Sequence, residues 1–167
     1  MAVAAVVLAA GAASRFGSPK QRLLLPAVLE RVRASPVDEV LVVVGAHEVE
    51  TDARSVRCPE WERGPGASLR CGLEAAGDAE AAVVVLADGP ALAPAAVVRV
   101  LAAWRESGAP VVAASYGGVR GHPLLLARSA WADVPDEGLR LRNAVLVPCD
   151  DLGAPGDVDR PEDLPAL

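Results

Sequence analysis

The sequence has little that would mark it for export, a membrane or nucleic acid. Its apolar N-terminal run, AVAAVVLAA (residues 2–10), has no basic start, because the first cation, Arg15, comes after it. A secretory signal carries its charge first. The run is also far short of the roughly 20 apolar residues that a spanning helix needs. Cysteine is sparse: Cys58, Cys71 and Cys149 are odd in number and show no C-x-x-C spacing. That argues against a disulfide framework and for a reducing cytoplasm. Cys71 is expected as a small core residue on a helix, without chemistry. The net charge of −6 lacks the basic footprint of a general nucleic-acid binder. There is no internal repeat and no low-complexity linker. With 167 residues, 52% of them hydrophobic, one folded domain is expected rather than a disordered chain.

Two familiar phosphate-binding patterns are also missing. The P-loop spacing fails because Gly11 and Gly17 stand too far apart and Lys20 does not follow Gly17 directly. The dinucleotide fingerprint fails because Ala12 and Ala13 follow Gly11. No serine or cysteine has a credible base beside it, so a covalent intermediate is not supported.

What is present is a buried first strand (residues 3–8) that empties into a loop almost without side chains, closed by Arg15 and Lys20. In a parallel sheet such a loop lies at the strand's C-terminal end, where open α/β sheets bind ligands. Small residues, here Leu8-Ala9-Ala10-Gly11 and beyond, let a ligand approach the backbone, whose N–H groups suit an anion. Arg15 and Lys20 supply the charge a polyphosphate needs. Both could be ordinary surface cations, but their place on this loop favours the phosphate reading.

Further along, β-branched runs alternate with Ala/Leu/Arg stretches, the pattern of βαβ units on a mostly parallel sheet flanked by helices. Strands are expected over residues 39–45, 82–87, 110–114, 123–127 and 144–148, with a short edge strand at 55–58. Helices are expected over 27–33, 66–76 and 94–107, with a helical turn at 161–164. Asp88 follows a strand directly and precedes Gly89-Pro90. Asp, Gly and Pro make turns, but this position beside the first loop suits a Mg²⁺ ligand, since Mg²⁺ takes one or two carboxylates plus substrate phosphates. Gly66, Ala67 and Ser68 precede a helix, whose N-terminus can hold an anion or ribose oxygens; a plain N-cap at Ser68 is the equal alternative. Gly121-His122-Pro123 reads as a turn into a strand. His122 fits a turn or a substrate pocket better than a catalytic base.

LAAGxxSRFGxPK (residues 8–20) resembles the signature loop of the molybdenum cofactor cytidylyltransferase family, nucleotidyltransferases of the GT-A-like α/β fold. CPEWERGPGASLRCGLEAA (58–76), VVVLADGPAL (83–92), GVRGHPLLL (118–126) and DVDRPEDL (157–164) resemble further family segments in the family's order. The resemblance implies a three-layer α/β/α domain with a mostly parallel central sheet. It implies CTP and molybdopterin as substrates, pyrophosphate release, and Mg²⁺ held by Asp88. It makes the Asp157–Asp159 stretch a second metal-side carboxylate, with Asp159 favoured; Asp159 also reads as a helix N-cap. Gly121 and His122 then face the acceptor. Ala10 matches the cytidylyl branch, where guanylyl relatives more often carry glycine. The chain departs from the family in a trimmed first helix and in Gly89, where members often carry Met or Gln. Rival readings are a same-fold transferase using GTP or a sugar phosphate, and a non-catalytic nucleotide- or cofactor-binding accessory of a molybdoenzyme. No nucleic-acid or membrane partner is expected.

Overall fold

The computed structural model describes residues 2–11, 20–139 and 143–156. The strands are β1 (Val3–Ala9), β2 (Glu39–Val44), β3 (Arg54–Arg57), β4 (Ala81–Leu86), β5 (Val111–Tyr116), β6 (Val119–Ala127) and β7 (Val145–Pro148). The helices are α1 (Lys20–Arg33), α2 (Pro65–Ala75) and α3 (Pro94–Ser107). The strands form one sheet in the order β3-β2-β1-β4-β6-β5-β7. Neighbours are parallel except where β6 runs against β4 and β5.

Alternation along β1 explains the layering. Val3, Ala5, Val7 and Ala9 share a buried cluster with Leu25, Val28, Leu29 and Val32 of α1 and Val97, Val100 and Leu101 of α3. Ala4 and Val6 point the other way, into a cluster with Leu69 and Leu73 of α2. A central strand buried on both faces therefore needs an apolar residue at every position, which is what VAAVVLA supplies. The result is the expected α/β/α arrangement. The approach of α2 is close: a Cβ at Gly72 would stand 2.5 Å from Val6 Cγ1 and 2.9 Å from Val43 Cγ2. Helix α3 begins at Pro94 and ends before Gly108, whose φ of 67° is left-handed and whose N–H donates to the Trp104 carbonyl, as its sequence leads one to expect.

Three expectations need correction. The first helix is not the short segment 27–33; it starts at Lys20 and carries Pro26 inside it. A proline in a helix interior costs roughly 3 kcal/mol. Here its ring is exposed, while Leu25, Val28, Leu29 and Val32 recur at helical spacing and are buried against the sheet. Burial of that stripe, at about 1.5–3 kcal/mol per large side chain, outweighs the proline. Second, Gly121-His122-Pro123 is not a turn but lies inside β6. The turn is Gly117-Gly118, with φ of 59° and 77°, as a two-residue hairpin requires. Pro123 has no N–H to give, and the β5–β6 register is irregular between Ala113 and Ser115. Third, Cys71 is not an isolated core residue. It is joined to Cys58 by a disulfide with a Cα–Cα distance of 5.8 Å. The packing of α2 near the end of β3 brings together two residues whose spacing gave no such sign. The argument for a reducing compartment from the cysteine pattern is lost with it. Cys149 is buried and free. Among the described residues no helix is long and apolar enough to cross a membrane.

Candidate functional site

The chain leaves β1 to build β2 and β3 on one side, then returns to place β4 on the other. The C-terminal ends of β1 and β4 therefore flank the point where connections diverge, the crevice where open α/β sheets take ligands. Leu8 pairs with Leu86, and the Ala87 N–H donates to the Leu8 carbonyl at 3.0 Å. Past this rung the sheet gives out, and two loops meet. One carries Ala10 and the exposed Gly11; the other carries the half-buried Asp88. The Ala46 N–H donates to the Ala10 carbonyl at 3.3 Å, which holds the first loop toward β2. The Gly89 N–H closes the second turn on the Leu86 carbonyl at 3.2 Å. Asp88 is thus set by backbone bonds on either side of it.

The sheet also brings His122 to this place. Burial lowers the His122 pKa, the Asp88 carboxylate opposes that shift, and the Arg120 guanidinium adds to it. Burial wins, so the imidazole is neutral near pH 7. The Tyr116 hydroxyl donates to the His122 carbonyl at 2.7 Å, and burial pushes the Tyr116 pKa up to about 12. Gly121 makes room here: a Cβ would stand 3.0 Å from the Tyr116 ring, which would have to shift slightly. Beside Asp88 opens a cleft of about 420 Å³ whose walls include Gly89, Leu92, Tyr116, Arg120, Gly121 and His122. Its far wall is the segment 154–156, which the Ala91 N–H holds through the Pro155 carbonyl at 3.0 Å. A Cβ at Gly89 would stand 3.1 Å from Pro155 Cβ. Glycine at this position lets that wall close on the turn.

The residues expected to form a site divide into three groups. Leu8, Ala9, Ala10, Gly11 and Asp88 stand together at the β1–β4 edge, with Gly121 and His122 next to them in the cleft wall. Arg15 and Asp159 lie outside the described residues. Lys20 is the first residue of α1, which continues from the first loop. Gly66 and Ser68 form the third group, and here the structure corrects the alternative of an N-cap at Ser68. The helix is capped at Gly64, not at Ser68. Pro65 has no N–H, Gly66 N–H donates to the Asp136 carbonyl at 2.8 Å, and those of Ala67 and Ser68 reach the Gly64 carbonyl at 3.1 and 3.4 Å. Arg70 fastens the 134–136 segment over this end, bonding the Val134 carbonyl at 2.7 Å and pairing with the Asp136 carboxylate. The first-turn amides of α2 are therefore bonded to protein carbonyls.

Sequence reasoning missed Arg120 and Tyr116 in the cleft wall. Arg120 lies between Gly118 and Gly121 of a segment already singled out. Tyr116 is the chain's single tyrosine. Among the described residues no group of three or more His, Cys, Asp or Glu could hold a metal. The donor set nevertheless fits Mg²⁺, because that ion needs only one or two carboxylates when substrate phosphates complete its shell. Asp88, a hard oxygen donor beside the backbone of Ala10 and Gly11, is compatible with that need.

Comparison with known proteins identifies the family and the fold. The model of the MobA-like NTP transferase domain matches residues 5–144. The crystal structure of a homolog of Mycobacterium tuberculosis Rv0371c from Mycobacterium sp. strain JC1 is 29% identical, with a TM-score of 0.78, over 96% of this chain and 92% of that one. Rv0371c from M. tuberculosis H37Rv is 26% identical, with a TM-score of 0.77, over 98% of this chain and 96% of that one. A structure of Rv0371c in complex with manganese shares the fold at 23% identity and a TM-score of 0.67, over 99% of this chain and 94% of that one. No curated protein matches the chain. With the family model spanning the first loop, Asp88 and the cleft hairpin, the chain belongs to the MobA-like NTP transferase domain family.

Proposed function

We propose that this NTP transferase moves CMP from CTP to molybdopterin, with release of pyrophosphate, in molybdenum cofactor biosynthesis, for use by a client molybdoenzyme. The observation that carries the reading is the meeting of the Ala10–Gly11 backbone with the Asp88 carboxylate at the β1–β4 edge, next to a cleft of its own. The first supplies backbone for a triphosphate, the second a metal ligand, the third room for an acceptor. The cytidylyl choice rests on the resemblance of the Leu8–Gly11 loop, and the acceptor on the family resemblance as a whole.

In this reading a phosphate oxygen of the acceptor attacks the α-phosphorus of CTP in line. The bond from that phosphorus to the bridging oxygen breaks, and the electron pair leaves with pyrophosphate. The protein positions the two substrates and balances charge, which is most of what such transfers require. Asp88, with Asp159 as the second carboxylate, would hold Mg²⁺; bound there, the ion neutralises charge on the triphosphate. The manganese complex of Rv0371c supports a divalent cation in this fold. Arg15 and Lys20 stabilise departing pyrophosphate. Gly121 and the neutral His122 border the acceptor.

Nucleotide choice is tested by thermal shift in the presence of Mg²⁺. At 100 times its dissociation constant a ligand stabilises the fold by about 2.7 kcal/mol. CTP is expected to give a larger shift than GTP or ATP. A larger shift with GTP would overturn the cytidylyl assignment.

A further inference from the structure

We propose that Arg120 is a specificity-determining residue that selects, in the cleft beside Asp88, an acceptor with an anionic group on an apolar body. This rests on the nucleotidyltransferase reading for its meaning, though not for its test. The cleft, at about 420 Å³, has the size of a small-molecule site. Its wall is apolar along Val85, Leu86, Leu92 and Val119. No acidic residue lines it among the described residues, and Arg120 brings the one permanent charge to that lining.

The hairpin explains how a guanidinium comes to stand there. Gly117-Gly118 turns the chain so that Tyr116 pairs with Val119 and Ser115 with Arg120. The turn is fastened from outside by Asp150, whose carboxylate accepts from the Gly117 N–H. Tyr116 packs against Gly121 and bonds the His122 carbonyl, so the strand that carries Arg120 is held in place at the cleft wall. Partial burial disfavours the charged form of Arg120. Val119 is 70% exposed at the cleft's edge. A large apolar side chain left in water beside a cation is what a ligand with both characters would cover. Arginine's planar fork suits a phosphate or carboxylate there.

The test uses phenyl phosphate, which has both characters, and measures its binding by calorimetry with CTP and Mg²⁺ present. Inorganic phosphate and phenol serve as the charged and apolar halves. Phenyl phosphate is expected to bind better than either half. Arg120→Met should weaken it about 10-fold or more, the size of one charge-assisted hydrogen bond, and Arg120→Lys should fall between. CTP binding and melting temperature should be unchanged in both variants. Equal binding by Arg120→Met, displacement of phenyl phosphate by CTP, or no binding by the parent protein would each overturn the proposal. Inorganic phosphate binding as tightly as phenyl phosphate would overturn its apolar half. If CTP fails to bind while phenyl phosphate still depends on Arg120, the nucleotide reading fails and the anion site stands.

Discussion

Asp88→Asn is expected to lower nucleotidyl transfer by about 100-fold or more while the protein stays folded. Losing one well-placed electrostatic contact to the reacting group costs about that much in enzymes where it has been removed. The substitution keeps size and removes charge, and a neutral amide is a poor ligand for a hard cation. Stability should change little. The turn that presents Asp88 is closed by backbone, from the Gly89 N–H to the Leu86 carbonyl and from the Ala87 N–H to the Leu8 carbonyl, and neither bond uses the carboxylate. Pyrophosphate release and melting temperature, measured on the same preparation, check this. Full activity at unchanged Mg²⁺ would move the metal away from Asp88. Loss of both activity and stability would make Asp88 a structural turn residue.

Gly66→Ala is expected to cost the fold about 2–3 kcal/mol without any ligand present. A Cβ at this position would lie 1.6 Å from the Pro135 carbonyl oxygen and 2.9 Å from the Asp136 carbonyl carbon. These are backbone atoms, so no side chain can rotate away; the 134–136 segment must move or α2 must tilt. Overpacking a tight interior typically costs 1–3 kcal/mol. Movement would also strain the Gly66–Asp136 hydrogen bond and the Arg70–Asp136 ion pair. Denaturant unfolding of the apo protein measures this directly. A Gly66→Ala variant that unfolds like the parent but binds CTP poorly would return Gly66 to the nucleotide site.

Much of the architecture could be read from the sequence because its signals are local. Apolar β-branched runs marked β1, β2, β4 and β5, and Pro94 with Gly108 fixed both ends of α3. The errors came where tertiary contacts override a local rule. Pro26 looked like a helix boundary, but the buried stripe of Leu25, Val28, Leu29 and Val32 carries α1 through it. Gly121-His122-Pro123 had turn chemistry, yet the turn had already been made at Gly117-Gly118. Cys58 and Cys71 meet only because α2 packs as it does.

The same distinction divides the site. Asp88 could be singled out because it directly follows an apolar strand beside the first loop, although Asp-Gly-Pro also reads as a plain turn. Gly66 and Ser68 looked free because helix N-termini usually are; nothing local announces that Asp136, 70 residues later, supplies a carbonyl to Gly66. Arg120 was invisible for a related reason. Its meaning comes from a cleft assembled by β4, β5, β6 and the 154–156 segment, not from its neighbours in sequence.

The central claim is that the β1–β4 edge transfers a nucleotide to an acceptor in the adjoining cleft. Pyrophosphate release from CTP, with Mg²⁺ and with or without molybdopterin, tests it most directly. The account predicts release only when the acceptor is present, one pyrophosphate for each acceptor consumed, and less with GTP or ATP. No release from any of the three nucleotides with acceptor supplied would contradict it.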